Sequence, residues 1–139
     1  MRNILFIVNP IAGGGRTKEI VPIITERMTE NNIEYKIIYT KRPKEAINIS
    51  EENVDKFSVI VAVGGDGTIN EVAKGIINKK KGILGIIPGG TGNDMSKSLG
   101  LSQNPNEALD AIIENTTKNI DIGIVNGTLF LNIASIGFD

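Results

Sequence analysis

Short aliphatic segments alternate with longer amphipathic segments along most of the sequence, and this alternation limits the fold more than any other feature. The aliphatic segments predict strands at residues 3–8, 33–39, 57–63 and 83–87. The segments between and after them predict helices at residues 17–31, 43–53, 68–78, 94–99 and 105–115. Strands separated by helices pair in parallel through right-handed crossovers. The pattern therefore predicts an α/β fold with a doubly wound, mostly parallel, Rossmann-like sheet and helices on both faces.

The pattern changes after residue 118, where two apolar segments follow each other without a helix between them. Residues 120–125 and 128–136 predict two strands, and Asn126-Gly127 is typical of a tight hairpin turn. We therefore expect an α/β domain at residues 1–118, with residues 119–139 opening a β-rich second domain that is cut short.

The composition narrows the chemistry available to the chain. Lys and Arg number 15 against 16 Asp and Glu, so no strong net charge favours nucleic acid or an anionic membrane. The chain contains no Cys and no His, which excludes disulfides and the commonest zinc ligands. Its amino end lacks the features of a signal peptide, and no apolar run is long enough to span a membrane. We therefore expect a cytoplasmic protein.

Glycine-rich loops follow three of the predicted strands, at residues 13–15, 64–67 and 88–92. The carboxyl ends of parallel strands share one edge of the sheet, so these loops should lie together there. Glycine lets consecutive backbone amides approach a phosphate closely, and each loop leads into a helix start, which favours anions. The alternative for any single loop is an ordinary turn. None matches the GxGxxG or Walker fingerprints, so any phosphate site is of another kind.

Asp66 is the most informative residue, because a carboxylate within a phosphate-binding loop needs a cation between itself and the phosphate. Mg²⁺ commonly binds through one or two carboxylates, water and phosphate oxygens, so Asp66 is a candidate ligand, acting through water. The alternative is a turn aspartate that bonds its own backbone. Thr68 and Glu71 form the T-x-x-E pattern of a capping box, which needs no function beyond starting a helix.

Four motifs together resemble the catalytic family of the diacylglycerol kinases, which includes bacterial lipid kinases and the sphingosine and ceramide kinases. They are NPIAGGG from Asn9, GGDGTINEV from Gly64, PGGTGND from Pro88 and IDIGIVNGTLFLNIASIGFD from Ile120. GGDG also occurs in NAD kinases and phosphofructokinases, whereas TGND followed by IDIGIVNG favours the lipid kinases. Met95-Ser96-Lys97 departs from the more usual Phe-Ala-Arg, and Ser135 from a frequent glycine.

The resemblance implies ATP and Mg²⁺ as cofactors. It implies that ATP contacts Asn9, Pro10, Ile11, Ala12, Gly13, Thr40, Gly65, Asp66, Gly67, Thr68, Ile69, Asn70, Glu71 and Thr91. It also implies an acidic network linked to Mg²⁺, formed by Asp66, Asp94 and Asp121, which we treat as catalytic candidates. The general base of the family is a glutamate on the second domain, beyond Asp139, so the chain alone is expected to bind nucleotide without turnover.

The resemblance thus predicts transfer of the γ-phosphoryl group of ATP to a lipid hydroxyl, with diacylglycerol as the acceptor and phosphatidic acid as the product. The expected partner is a lipid at the inner face of the membrane, with no nucleic acid and no transmembrane segment, and a homodimer remains open. Two alternatives remain: a kinase with a soluble acceptor, such as NAD kinase, and a nucleotide-binding module without catalysis.

Overall fold

The computed structural model describes residues 2–124 and 127–134. Its six strands are β1 (Asn3–Val8), β2 (Glu34–Tyr39), β3 (Val59–Gly64), β4 (Ile83–Pro88), β5 (Thr117–Ile124) and β6 (Gly127–Ala134). Its α-helices are α1 (Thr17–Glu30), α2 (Glu45–Asn53), α3 (Asp66–Lys79), α4 (Asp94–Ser98) and α5 (Pro105–Glu114). Among the described residues, no helix combines the length and apolar character needed to cross a membrane.

The strands form one sheet in the order β2-β1-β3-β4-β6-β5. Every neighbouring pair from β2 to β6 is parallel, and only β5 runs antiparallel, against β6. The mostly parallel α/β sheet predicted from the sequence is therefore confirmed. Its strand order reverses at β1, since β2 lies on one side of that strand and β3 on the other, and such reversals open a crevice at the carboxyl edge of a sheet.

The central strands β1, β3 and β4 are buried on both faces, which explains why they are almost entirely apolar. Leu5 and Ile7 of β1 face a core formed with α2 and α3, whereas Ile4, Phe6 and Val8 face α1 and α5. All five of these side chains are fully buried. The side chains alternate because successive residues of a strand point to opposite faces. Two apolar layers thus hold the carboxyl ends of the strands in a fixed arrangement.

Helices α2 and α3 pack closely on one face because Gly75 has no side chain. A Cβ on Gly75 would lie 2.6 Å from the carbonyl oxygen of Ile47 and 2.6 Å from the Cβ of Ser50. The hydroxyl of Ser50, which is fully buried, donates to the carbonyl oxygen of Val72 at 2.8 Å. This contact satisfies a polar group that would otherwise be costly to bury.

The start of α3 differs from its sequence prediction. The helix begins at Asp66, two residues before the predicted start, and its N-cap residue is Gly65, which makes no side-chain capping bond. The predicted capping box of Thr68 and Glu71 is therefore wrong. Thr68 lies inside the first turn instead, where its side chain packs against the backbone of Gly64. The earlier start brings Asp66 onto the helix itself.

The first helix, α1, also starts without a side-chain capping bond. Thr17 is the first residue of α1, and its hydroxyl donates to the carbonyl oxygen of Asn9 at 2.7 Å. Thr17 is fully buried, so this bond ties the beginning of α1 to the end of β1.

The predicted antiparallel strands form as β5 and β6, and both begin earlier in the chain than expected. β6 pairs in parallel with β4, so the pair extends the same sheet as β1 to β4. Val125, the last residue of the strand predicted at residues 120–125, and Asn126 of the predicted turn lie outside the described residues. The division into domains at residues 1–118 and 119–139 stays a prediction.

Candidate functional site

The three glycine-rich loops meet at the carboxyl edge of the sheet. The amide of Asn9, after β1, donates to the carbonyl oxygen of Val63 in β3 at 3.0 Å. The amide of Gly89, after β4, donates to the carbonyl oxygen of Gly64 at 2.7 Å. These bonds continue the pairing of the strands into their loops, so the loops emerge side by side as the sequence predicts.

Glycine is required where the loops touch. A Cβ on Gly90 would lie 2.6 Å from the Cα of Gly65, and a Cβ on Gly13 would lie 2.3 Å from the carbonyl oxygen of Gly89. Real Cβ atoms do not approach backbone atoms so closely, so an alanine at either position would push the loops apart. Gly13 also has a left-handed backbone, with φ of 60°. Close approach and backbone conformation both require glycine here.

The loops surround a cavity of about 260 Å³, which we call the glycine cavity. It is lined by Asn9, Ala12, Gly13, Gly65, Asp66, Gly67, Thr68, Gly90, Thr91, Gly92 and Asn93. Among the described residues of this lining, Asp66 alone carries a charge. The first amides of α3, including those of Gly67 and Thr68, have no intrahelical acceptor and lie at the positive end of the helix dipole. The cavity thus combines amide donors for an anion with one carboxylate that suits a cation.

A second cavity of about 540 Å³, which we call the adjoining cavity, shares Asn9, Gly67 and Thr68 with the first. Its other lining residues are Pro10, Ile11, Thr40, Lys41, Arg42, Pro43, Ala46 and Glu71. Several of these are apolar, including Ile11, whose side chain is 78% exposed. An apolar wall with a few polar groups is typical of small-molecule sites. The two cavities together suit a ligand with an apolar end and an anionic end.

Asp66 makes a contact that the sequence did not indicate. One oxygen of its carboxylate accepts from the amide of Asp94 at 2.9 Å, and the other accepts from the amide of Met95 at 2.9 Å. These are the first two amides of α4, so Asp66 holds this helix against the start of α3. Each carboxylate oxygen keeps a further acceptor site, because an ionised carboxylate can accept about four hydrogen bonds. Asp66 can therefore hold α4 and also bind the water of a metal ion.

Asn93 also lines the glycine cavity, although the sequence patterns predicted no site role for it. Its backbone is left-handed, with φ of 53°, and its residue surface is 5% exposed. It makes no side-chain cap on α4, and its Oδ1 accepts from the amide of Gly90 at 2.9 Å. Asn is among the few residues besides Gly that tolerate this backbone conformation. The ability of Asn to adopt a left-handed backbone was the one feature of the sequence that could have indicated its role in this loop.

Ser96 stabilises the same loop, and it belongs to the segment Met95-Ser96-Lys97 that departs from the more usual Phe-Ala-Arg. Ser96 is fully buried, and its hydroxyl donates to the carbonyl oxygen of Asn93 at 3.0 Å. The Nε2 of Gln103 donates to that hydroxyl at 3.1 Å. A serine here therefore joins the loop after α4 to the residue that precedes α4.

Most of the predicted site residues lie at these two cavities. Those that line one or both are Asn9, Pro10, Ile11, Ala12, Gly13, Thr40, Gly65, Asp66, Gly67, Thr68, Glu71 and Thr91. Ile69 and Asn70 line neither cavity, because the Ile69 side chain is fully buried in the core beneath α3 and Asn70 is exposed outside both. Gly90 and Gly92 were predicted only as part of a phosphate-binding loop. No site role was predicted for Asn93 in the glycine cavity or for Lys41, Arg42, Pro43 and Ala46 in the adjoining one.

The predicted acidic network is only partly described. The backbone amide of Asp94 donates to the carboxylate of Asp66. The carboxylate of Asp94 itself is exposed and lies close to Gly92. Asp121 lies in β5, where its backbone pairs with Phe130, and its side chain lies outside the described part of the structure. Within that part, no three acidic, His or Cys side chains are arranged to hold a metal ion. A network of three aspartates stays a prediction.

Comparisons with known proteins point to a single family. The model of the diacylglycerol kinase catalytic domain matches residues 3–125. A diacylglycerol kinase of Staphylococcus saprophyticus is 35% identical over 133 residues, covering 94% of this chain and 44% of the relative. A diacylglycerol kinase of Staphylococcus haemolyticus is 36% identical over 135 residues, covering 94% of this chain and 40% of the relative.

Solved structures give the same result. A crystal structure of a diacylglycerol kinase from Bacillus anthracis superimposes with a TM-score of 0.76 and 34% identity, covering 86% of this chain and 42% of the other. The chain thus spans less than half the length of the curated relatives it matches.

Proposed function

The chain belongs to the diacylglycerol kinase catalytic domain family, and we propose that it forms the nucleotide-binding part of an ATP-dependent lipid kinase. In the proposed reaction, the oxygen of a lipid hydroxyl forms a bond to the γ-phosphorus of ATP. The bond between that phosphorus and the β,γ-bridging oxygen breaks, and ADP leaves. The acceptor we propose is diacylglycerol, which would give phosphatidic acid.

The observation that supports nucleotide binding most directly is the glycine cavity itself. Three loops bring backbone amides and the amino end of α3 around a space that is lined, among the described residues, by no Lys or Arg. Phosphoryl transfer depends mainly on positioning and on charge stabilisation. Amides at a helix start can position phosphate oxygens without a cationic side chain. We assign the phosphates of ATP to this cavity.

The adjoining cavity fits the rest of the nucleotide. Gly67 and Thr68 line both cavities, so a ligand can pass from one to the other at the first turn of α3. Apolar residues such as Pro10, Ile11 and Pro43 can pack against a base, and the hydroxyl of Thr40 can bond a polar edge of the nucleoside. These features support ATP as the proposed nucleotide.

The groups that line the glycine cavity also fit Mg²⁺. With one carboxylate and no cationic side chain in the described lining, a triphosphate there needs a cation to offset its charge. The free acceptor positions of Asp66 would hold the water shell of that ion, while its occupied positions keep α4 in place. When bound, Mg²⁺ neutralises phosphate charge and makes the γ-phosphorus more reactive.

We propose no residue of this chain as the general base that takes the proton of the acceptor hydroxyl, since the family resemblance implies a base on a second domain. We further propose that the complete protein is cytoplasmic and meets its lipid at the inner face of the membrane. A bound lipid there would place its hydroxyl at the open side of the glycine cavity, next to the γ-phosphoryl group.

The decisive experiment supplies the complete protein with ATP labelled on the γ-phosphate and offers diacylglycerol micelles and NAD in separate reactions. We expect the label in phosphatidic acid and none in NADP. Label in NADP alone would identify a kinase with a soluble acceptor. Binding of Mg-ADP without transfer to either acceptor would identify a nucleotide-binding module without catalysis.

A further inference from the structure

We propose that Asn93 is a phosphate-binding residue, whose side-chain amide nitrogen donates into the glycine cavity while its oxygen shapes the loop. This inference rests on the proposed function, since it names a further contact for the phosphates of the nucleotide.

Asn93 precedes α4 but does not cap it. An Asn before a helix commonly caps it by accepting from the second or third helical amide. Asn93 makes no such bond, and the amide of Met95 donates to Asp66 instead. The usual reason for an asparagine at this position is therefore missing.

The side chain of Asn93 is held in one orientation by its oxygen. Its Oδ1 accepts from the amide of Gly90 at 2.9 Å, at the place where Gly90 meets Gly65. With the oxygen held there, the nitrogen of the planar amide group must point away from Gly90. The hydrogen bonds of the described residues include no acceptor for this nitrogen, although Asn93 is 95% buried and lines the glycine cavity. Among the described residues, Gln103 Oε1 is the one fully enclosed side-chain polar atom without a partner, so the Asn93 nitrogen is accessible from the cavity, where water or a ligand can accept from it.

The charge of the glycine cavity also favours a neutral donor such as Asn93. Because no cationic side chain lines it within the described residues, neutral donors must supply the hydrogen bonds of an anion. An asparagine nitrogen is such a donor, and it carries no positive charge that would compete with a metal ion for Asp66. Asn93 lies on the third loop and lines the same cavity as Gly67 and Thr68 at the start of α3. The side-chain nitrogen of Asn93 and the helix amides can thus donate to one phosphate.

The test compares Asn93→Asp with the wild-type chain in calorimetric titrations with Mg-ADP. Aspartate keeps the oxygen that accepts from Gly90 and tolerates the left-handed backbone, but it replaces the donor with a negative charge. We expect affinity to fall by about tenfold or more, the loss that accompanies removal of a hydrogen bond to a charged group. The matched control is Asn115→Asp, because Asn115 also has a left-handed backbone, with φ of 59°, and lies at the carboxyl end of α5. This control should bind as the wild type does.

A second measurement covers the case in which Asn93→Asp does not fold. In the wild-type chain, the NMR signals of the Asn93 side-chain amide should shift on saturation with Mg-ADP and stay unchanged with adenosine, which has no phosphate. Signals that do not move with Mg-ADP, or an Asn93→Asp chain with wild-type affinity, would overturn the inference. A wild-type chain that binds no Mg-ADP would instead overturn the proposed function.

Discussion

Replacing Asp66 with asparagine tests the residue on which the site depends most. Both oxygens of its carboxylate accept backbone amides of α4, those of Asp94 and Met95, at 2.9 Å. Asparagine has nearly the same shape, but it presents one nitrogen in place of an oxygen. That nitrogen would face an amide that also donates, so one of the two hydrogen bonds must be lost.

The expected loss of stability follows from that one bond. Hydrogen bonds to charged groups contribute roughly 1.5 to 3 kcal/mol, and partial exposure of this pair places the expected loss at about 1 to 2 kcal/mol. The entropy of unfolding for 139 residues is on the order of 0.3 kcal/mol per kelvin, so the Tm should fall by roughly 3 to 7 °C. Thermal unfolding followed by circular dichroism, without nucleotide or Mg²⁺, measures this directly.

The same variant should bind Mg-ADP at least about tenfold more weakly, because the metal ion loses its charged partner. Calorimetric titration of the chain measures the affinity. Asp55→Asn is the matched control, since Asp55 lies at the opposite edge of the sheet, where it pairs with Lys81, and its substitution should leave Mg-ADP binding unchanged. A wild-type Tm for Asp66→Asn would refute the contact with α4, and a wild-type affinity would refute the role in metal binding.

Three further predictions follow from other parts of the structure. Gly67→Ala should raise the Tm, because a Cβ there meets no described atom within 4 Å and alanine favours a helix by about 0.5 to 1 kcal/mol. The same variant should weaken Mg-ADP binding, because its methyl group would lie between the two cavities. An affinity for Mg-ADP equal to that of the wild type would exclude a ligand between the two cavities. Gly75→Ala should destabilise the chain by about 1 to 3 kcal/mol in denaturant unfolding, because its Cβ would overlap Ser50 of α2, and an unchanged midpoint would contradict the packing described. The hydrogen bond from Lys81 lowers the pKa of Asp55 below its ordinary 3.8, so the pair stabilises the fold above that pH and its contribution disappears as pH falls through the lowered pKa. The Tm difference between wild type and Asp55→Asn should therefore shrink in acid, and a difference that grows would refute the ion pair.

The fold was largely predictable because it depends on local periodicity. The residues of β1 after Asn3 are all apolar, as a strand covered on both faces requires, and the predicted span of residues 3–8 agrees with the structure. The boundaries of α3 were less predictable. A capping pattern at Thr68 competed with a glycine N-cap at Gly65, and contacts between loops favoured the earlier start, which places Thr68 against Gly64.

The amino-acid sequence alone was enough to predict the parallel α/β sheet, the three glycine-rich loops and their common edge, because these follow from periodicity, chain connection and the conformational freedom of glycine. The tertiary structure alone decided the partners of individual polar groups. Asp66 accepts amides 28 and 29 positions away in the chain, and Asn93 turns its oxygen to Gly90 instead of capping α4. Contacts of this kind depend on how separate loops meet in space, and no local pattern of residues specifies that meeting.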